Sequence, residues 1–229
     1  GTPAVRVLRL GSGPSFTTPQ ILDGHDVVLP QGDSPHHLKP SPNRTYEAST
    51  VHFEISTPTE APTTYSYEMQ TRTLELRHPL HKRSKKTAAE FTCEMRWALA
   101  EDGTAIPVTI SHQRGLLLDG SNPMLATCYG AYGVCVDADF RAEYLSLLER
   151  GWVLALVHVR GGGELGARWH KAARGACKRV SADDLGVAIR TMHAWGYSAP
   201  ERTTAQADSA GALALGLLLS TRPELLRAA

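Results

Sequence analysis

RTTAQADSAGALALGLLLSTR, residues 202 to 222, sets a short strand-like segment ahead of Ser209 and a strongly apolar helical run behind it. Small residues crowd the serine: Ala207 two places before, Ala210 directly after, Gly211 two places after. That is the composition of a nucleophile elbow, where a strand turns sharply into a helix and the backbone packs too closely for larger side chains. Ala207 departs by one methyl group from the glycine such a turn usually carries. The Ala210 N–H would supply one half of an oxyanion hole, and the helix opening there adds the positive end of its dipole. A serine that merely N-caps a buried helix fits the same local sequence, so the weight falls on what surrounds it.

Upstream, strand-like and helix-like segments alternate. FTCEMRWAL (91–99) and AIPVTISHQ (105–113) flank Asp102-Gly103, a strong hairpin signal. PMLATCYGAYG (123–133) reads as a short buried strand entering a glycine-punctuated loop, and FRAEYLSLLERG (140–151) as a helix stopped by its glycine. WVLALVHV (152–159) is almost wholly apolar, which suits the interior of a parallel sheet. SADDLGVAIRTMHAWG (181–196) predicts a helix with Ser181 as N-cap, Asp184 three places on and Gly196 as its stop. Leu185, Ala188, Ile189, Met192 and Trp195 recur at helical spacing within it. Alternating elements of this kind predict an α/β domain with a mostly parallel sheet.

The first third reads differently. Residues 1 to about 50 are rich in Pro, Gly, Ser and His. TVHFEIST (50–57) and TTYSYEMQTRTLEL (63–76) then alternate at period two, with Val51, Phe53 and Ile55 on one face and Tyr65, Tyr67 and Met69 on another. Half-buried antiparallel strands have this pattern. STPTEAPT between them predicts a longer loop, not a tight turn. The basic run HPLHKRSKKTAAE (78–90) reads as a solvated linker, because no aromatic residues interleave with its charges as nucleic-acid binding wants.

Composition narrows the function classes. The 229 residues are 42% apolar and 21% charged, with a formal charge of +1 that gives no long-range pull toward nucleic acid or anionic lipid. No apolar run approaches the roughly 20 residues that span a bilayer. The opening GTPAVRVLRL has neither an initiator Met nor a signal-peptide pattern, and predicts a partial sequence. Cys93, Cys128, Cys135 and Cys177 show no C-x-x-C spacing, which argues for reduced thiols in a cytoplasmic setting and against zinc. Asn43-Arg44-Thr45 matches the glycosylation triplet, a pattern frequent by chance. HVRGGGELG places Gly161-x-Gly163-x-x-Gly166 after a strand, as a dinucleotide fingerprint does. Asp183 and Asp184, however, open a helix where the ribose-binding acid should end a second strand, so no nucleotide, metal or other cofactor is expected.

CYGAYGVCVDADF, SLLERGWVLALVHVRGGGELGARWHK, WGYSAPERTT and DSAGALALGLLLSTRPEL occur in order at the spacing found in prolyl oligopeptidases and oligopeptidase B. VHFEISTPTEAPTTYSYEMQTRTLEL resembles the last propeller strands of those enzymes. Residues 45 to 229 thus resemble the prolyl oligopeptidase family, and the alanine at 207 most resembles its prolyl endopeptidase-like branch.

The resemblance implies residues 1–78 as the end of a β-propeller, 79–90 as a linker, and 91–229 as the first part of an α/β-hydrolase domain. It implies Ser209 as nucleophile, Ala210 as backbone oxyanion donor, the Tyr129 hydroxyl as the second donor, and Tyr132 beside the substrate. The expected activity is serine-type hydrolysis of short peptides or (thio)esters. The alternative it carries is a non-catalytic member acting on protein partners in trafficking. His158, His170 and His193 match no catalytic position. Asp208 and Ala212 depart from the family pattern, and Asp208 would oppose a developing oxyanion if it faced the site. The order in this fold is Ser, then acid, then His. After Ser209 the sequence holds one acid, Glu224, and no histidine, so the 229 residues alone are expected to be inactive.

Overall fold

The computed structural model describes residues 3–11, 20–79 and 90–229. The basic run read as a linker falls largely outside them. Among the described residues no helix is long and apolar enough to cross a membrane.

The N-terminal part is built of antiparallel strands. β1 (Arg6–Gly11) pairs with β2 (Gln20–Asp26), and β3 (His37–Pro40), β4 (Thr50–Thr57), β5 (Glu60–Glu68) and β6 (Thr73–Pro79) form a meander in that order. Period-two alternation brings Phe53 and Ile55 of β4 and Tyr65 and Tyr67 of β5 into one core with Val27 and Leu29. Two expectations need correction. TTYSYEMQTRTLEL is not one strand but parts of β5 and β6, separated by a turn in which Arg72 adopts φ 58°. STPTEAPT is not a long loop either, because only Pro58 and Thr59 separate β4 from β5. Pro58 presets its own φ, and the Thr59 N–H donates to Thr57 Oγ1 at 3.3 Å. A register shift between Ile55 and Thr57 takes up Pro62, which has no N–H for a ladder. Asn43 uses its amide internally, donating to Ser41 O and His52 O and accepting from His52 N.

The second part is a five-stranded sheet of β7 (Phe91–Leu99), β8 (Ala105–Gln113), β9 (Met124–Cys128), β10 (Val153–Val157) and β11 (Thr203–Ala207). Its order is β11-β9-β10-β8-β7. The sheet is mixed, not mostly parallel: β11-β9 and β9-β10 are parallel, while β10-β8 and β8-β7 are antiparallel. The cause is connection length. A hairpin turn at Asp102-Gly103, with Gly103 at φ 81°, forces antiparallel pairing, whereas helical crossovers bring β10 and β11 back parallel. Arg227 N donates to Thr203 O and Ala205 N to Ala228 O, so residues 227–228 begin a further parallel pairing beyond β11.

Helices cover both faces. α1 (Ala142–Leu148) lays Leu148 against Phe91, Leu125 and Leu154. On the other face α2 (Ala167–Ala172), α3 (Arg179–Ala194) and α4 (Gly211–Thr221) join Ile106, Val108, Met124, Val153 and Val157 in the main core. Alternate residues of β10 therefore enter opposite cores, which explains its near-continuous apolar sequence. α3 starts three residues earlier than its sequence predicts: Lys178 is the N-cap, and Ser181 lies inside the helix, wholly buried. Ser181 Oγ instead donates to Arg160 O at 2.6 Å. Leu185, Ile189 and Met192, all buried, each contribute about 1.5–3 kcal/mol, which helps offset the burial of Asp184 on the same helix.

Candidate active site

β9, β10 and β11 run parallel and in register, with Cys128 opposite both Val157 and Ala207. The residues that follow, Tyr129, His158 and Asp208-Ser209, are thereby delivered to one sheet edge, the carboxyl edge where ligands bind in open α/β sheets. Ser209 adopts φ 51°, and for a non-glycine residue that left-handed conformation is strained. β11 ends at Ala207 and α4 begins at Gly211, so the reversal occupies three residues. Ser209 is exposed. Ala210 is the N-cap of α4, where N–H groups have no intrahelical acceptor.

Gly211 shows why this turn needs small residues. A Cβ there would stand 3.1 Å from both Cys128 O and Tyr129 Cα. Tyr129 is half-buried and opens a loop, 129–133, in which Gly130, Tyr132 and Gly133 all have positive φ. That loop rests on the glycine segment 161–163. A Cβ at Gly161 would fall 2.1 Å from Gly130 O, and one at Gly163 would fall 2.2 Å from Gly133 O. Gly133 N donates to Gly161 O and Gly163 N to Val134 O. Gly161 and Gly163 of HVRGGGELG therefore let two backbones meet.

A buried ion pair anchors the glycine segment. Arg160 donates from Nε to Asp184 Oδ2 at 2.9 Å and from Nη2 to Asp184 Oδ1 at 2.6 Å, and Asp184 has no exposed surface. Arg160 N adds a third bond to Asp184 Oδ2 at 2.9 Å. Nη1 reaches Asp102 in the β7–β8 turn, and that hydrogen bond holds the Asp102 carboxyl down at about 2. The sequence places Asp184 in the first turn of its helix; in the structure it stands in the second turn and clamps the loop. Lys178 Nζ donates to Gly130 O and, at 3.2 Å, to Ser181 Oγ, and its burial lowers its pKa.

A cavity of about 380 Å³ lies between the two parts of the molecule. Tyr129, Ala207 and Asp208 line it from the sheet edge, with Val134–Arg141 forming one wall and His37 and Pro58 the other. His37 Nδ1 lies 3.4 Å from Asp137 Oδ2, and Ser56 Oγ donates to Asp139. Sequence reading missed Asp137 and Asp139, whose spacing in VDADF is the one local signal they leave.

Of the four site residues expected, the fold brings Ser209, Ala210 and Tyr129 to one edge. Tyr132 is in the adjoining loop at φ 56° and is 77% exposed, and like Ser209 and Ala210 it is not among the residues that line the cavity. The three histidines make structural contacts. His158 is buried against Thr109 Oγ1 at 2.9 Å, His170 meets Gly161 O, and His193 meets Thr203 Oγ1. Among the described residues no cluster of His, Cys, Asp and Glu could hold a metal ion.

Residues 138–229 match the family model described as "Prolyl oligopeptidase family". The chain is 33% identical over 204 residues to prolyl endopeptidase-like of Gallus gallus, covering 88% of this chain and 27% of that protein. It is 38% identical over 180 residues to the Rattus norvegicus protein of the same description, covering 77% and 24%. Among solved structures, oligopeptidase B from Trypanosoma brucei superposes with TM-score 0.84 at 25% identity, covering 97% of this chain and 31% of that one. The chain thus spans about a quarter of the length of the curated relatives it matches.

Proposed function

Through residues 138–229 this chain belongs to the prolyl oligopeptidase family, and on that footing we propose that Ser209 is the nucleophile of a serine hydrolase acting on short peptides or (thio)esters. The observation that carries the reading is the strained φ of Ser209 between β11 and α4, with Gly211 packed on Tyr129. Strain of this kind persists where the surroundings over-determine it, and it clusters at reacting groups. Support comes also from the T. brucei oligopeptidase B, whose structure carries covalently bound antipain.

In this reading Ser209 Oγ attacks the acyl carbon and its proton passes to a base. The carbonyl oxygen, now an anion, accepts hydrogen bonds from Ala210 N–H and the Tyr129 hydroxyl. Collapse expels the amine, alcohol or thiol, which takes up the proton, and water then cleaves the acyl-enzyme. Tyr132, being exposed, is free to contact a bound peptide. In this fold the acid and then the histidine follow the nucleophile in the chain, and residues 210–229 contain no histidine. Residues 1–78 are read as the end of a β-propeller, because the β3–β6 meander has the four strands of one blade. Residues 79–90 link it to the hydrolase part, 91–229.

Labelling of the full-length protein with a fluorophosphonate tests the reading. A covalent adduct on Ser209, lost in Ser209→Ala and slowed about 100-fold in Tyr129→Phe, is expected. A folded protein that forms no Ser209 adduct overturns it and leaves a non-catalytic binding role.

A further inference from the structure

Asp208 lines the same cavity as Tyr129 at its margin, and it precedes Ser209, which is exposed just outside that lining. The other charges of that lining are already engaged. Asp137 faces His37, Asp139 accepts from Ser56 Oγ and from Phe140 N, and the Arg141 guanidinium lies over the Tyr144 ring. The Asp208 carboxylate, by contrast, has no hydrogen-bond or ion-pair partner among the described residues. An unpaired anion here repels the oxyanion that Ser209 chemistry must create. A substrate that brings its own positive charge removes that penalty.

We propose that Asp208 is a specificity-determining residue that selects substrates carrying a cationic group within a few bonds of the scissile acyl carbon. The inference rests on the hydrolase reading of Ser209. Asp208 attracts the cation in the bound state and in the transition state alike. For a neutral substrate it is a handicap in the transition state alone. One unpaired charge at contact range in a partly exposed site is worth about tenfold in rate at low salt, and salt screens it.

The test uses three fluorophosphonates of equal length on the full-length protein, ending in trimethylammonium, tert-butyl or carboxylate. Second-order labelling rates at Ser209 are measured for the native protein, Asp208→Asn and Asp208→Glu. The native protein is expected to label fastest with the ammonium probe and slowest with the carboxylate, neighbouring rates differing about tenfold. In Asp208→Asn the ammonium rate falls while the tert-butyl rate rises, a crossing that a merely structural role does not produce. Asp208→Glu keeps the native order. If Asp208→Asn fails to fold, raising salt from about 0.02 to about 0.5 M on the native protein must shrink the spread instead. Adducts that form with no spread, or with a spread untouched by Asp208→Asn and by salt, overturn the inference and leave the hydrolase reading standing. No Ser209 adduct with any probe overturns both.

Discussion

Gly211 lies so close to Tyr129 that a methyl group there would have to push backbone aside by a few tenths of an ångström, its Cβ standing 3.1 Å from Tyr129 Cα. The first residue of α4 is thereby keyed to the first residue after β9. Gly216, in the same helix, has nothing within 4 Å of the corresponding position. The pair separates helix propensity from close packing.

Gly216→Ala is expected to raise stability by up to about 1 kcal/mol, the helix preference of alanine over glycine. Gly211→Ala is expected to lose about 1–2 kcal/mol, because the methyl group must displace backbone, and to slow labelling of Ser209. Urea midpoints of the two variants check the opposite signs.

The left-handed conformation at Ser209 costs a side-chain-bearing residue about 1–2 kcal/mol, part of which a glycine returns through its freedom in the unfolded chain. Ser209→Gly should therefore melt above the native protein, by about 0.5–1 kcal/mol in stability, while losing all fluorophosphonate labelling. Ser209→Ala keeps the Cβ and should show no such gain. Calorimetry on both variants decides it.

Asp184→Ala leaves Arg160 buried without its main partner and is expected to cost about 3–5 kcal/mol. Asp102→Ala removes a carboxylate whose side chain is 54% exposed and should cost under about 1 kcal/mol. Because the folded Asp102 pKa is depressed to about 2, its contribution is complete above the unfolded value of about 3.9 and is lost as pH falls through about 2. Denaturant titrations of native protein and Asp102→Asn should differ at pH 5 to 7 and converge near pH 2, conditions chosen from that window.

Burial pushes the Cys93 thiol up to about 11 and the Cys128 thiol up to about 12, whereas Cys135 and Cys177 are exposed. Iodoacetamide at mildly alkaline pH should modify Cys135 and Cys177 first, with Cys93 and Cys128 reacting only on unfolding. Peptide mapping of the alkylated protein reads the order directly.

Local chemistry was legible in the sequence where the structure obeys local rules. The limits of β4 and the Asp102-Gly103 hairpin follow from alternation and turn residues, and the sharp reversal at Ser209 from the small residues around it, whereas Tyr129 is singled out by the family resemblance and not by local pattern. Where distant groups intervene, local reading misplaced the element. Ser181 looks like an N-cap until Arg160 O, 21 residues away in sequence, takes its hydroxyl and draws it into the helix. Asp184 looks like a first-turn carboxylate until the Arg160 guanidinium claims it. The two prolines of STPTEAPT suggest a loop, yet a register shift in β4 makes a place for Pro62. The exposure of Asp208 to the cavity was not legible, because a side chain at a strained reversal follows no period.

At positions 161 and 163 the backbone meets that of Gly130 and Gly133 so closely that no side chain can be added. Heritable change in ligand preference is thereby channelled away from the framework and onto cavity-facing positions such as Val134, Gln206 and Asp208. Those residues can vary without moving the backbone that carries Tyr129. If Ser209 is the nucleophile proposed above, a lineage built on this chain can change its ligands while the geometry around that serine stays fixed.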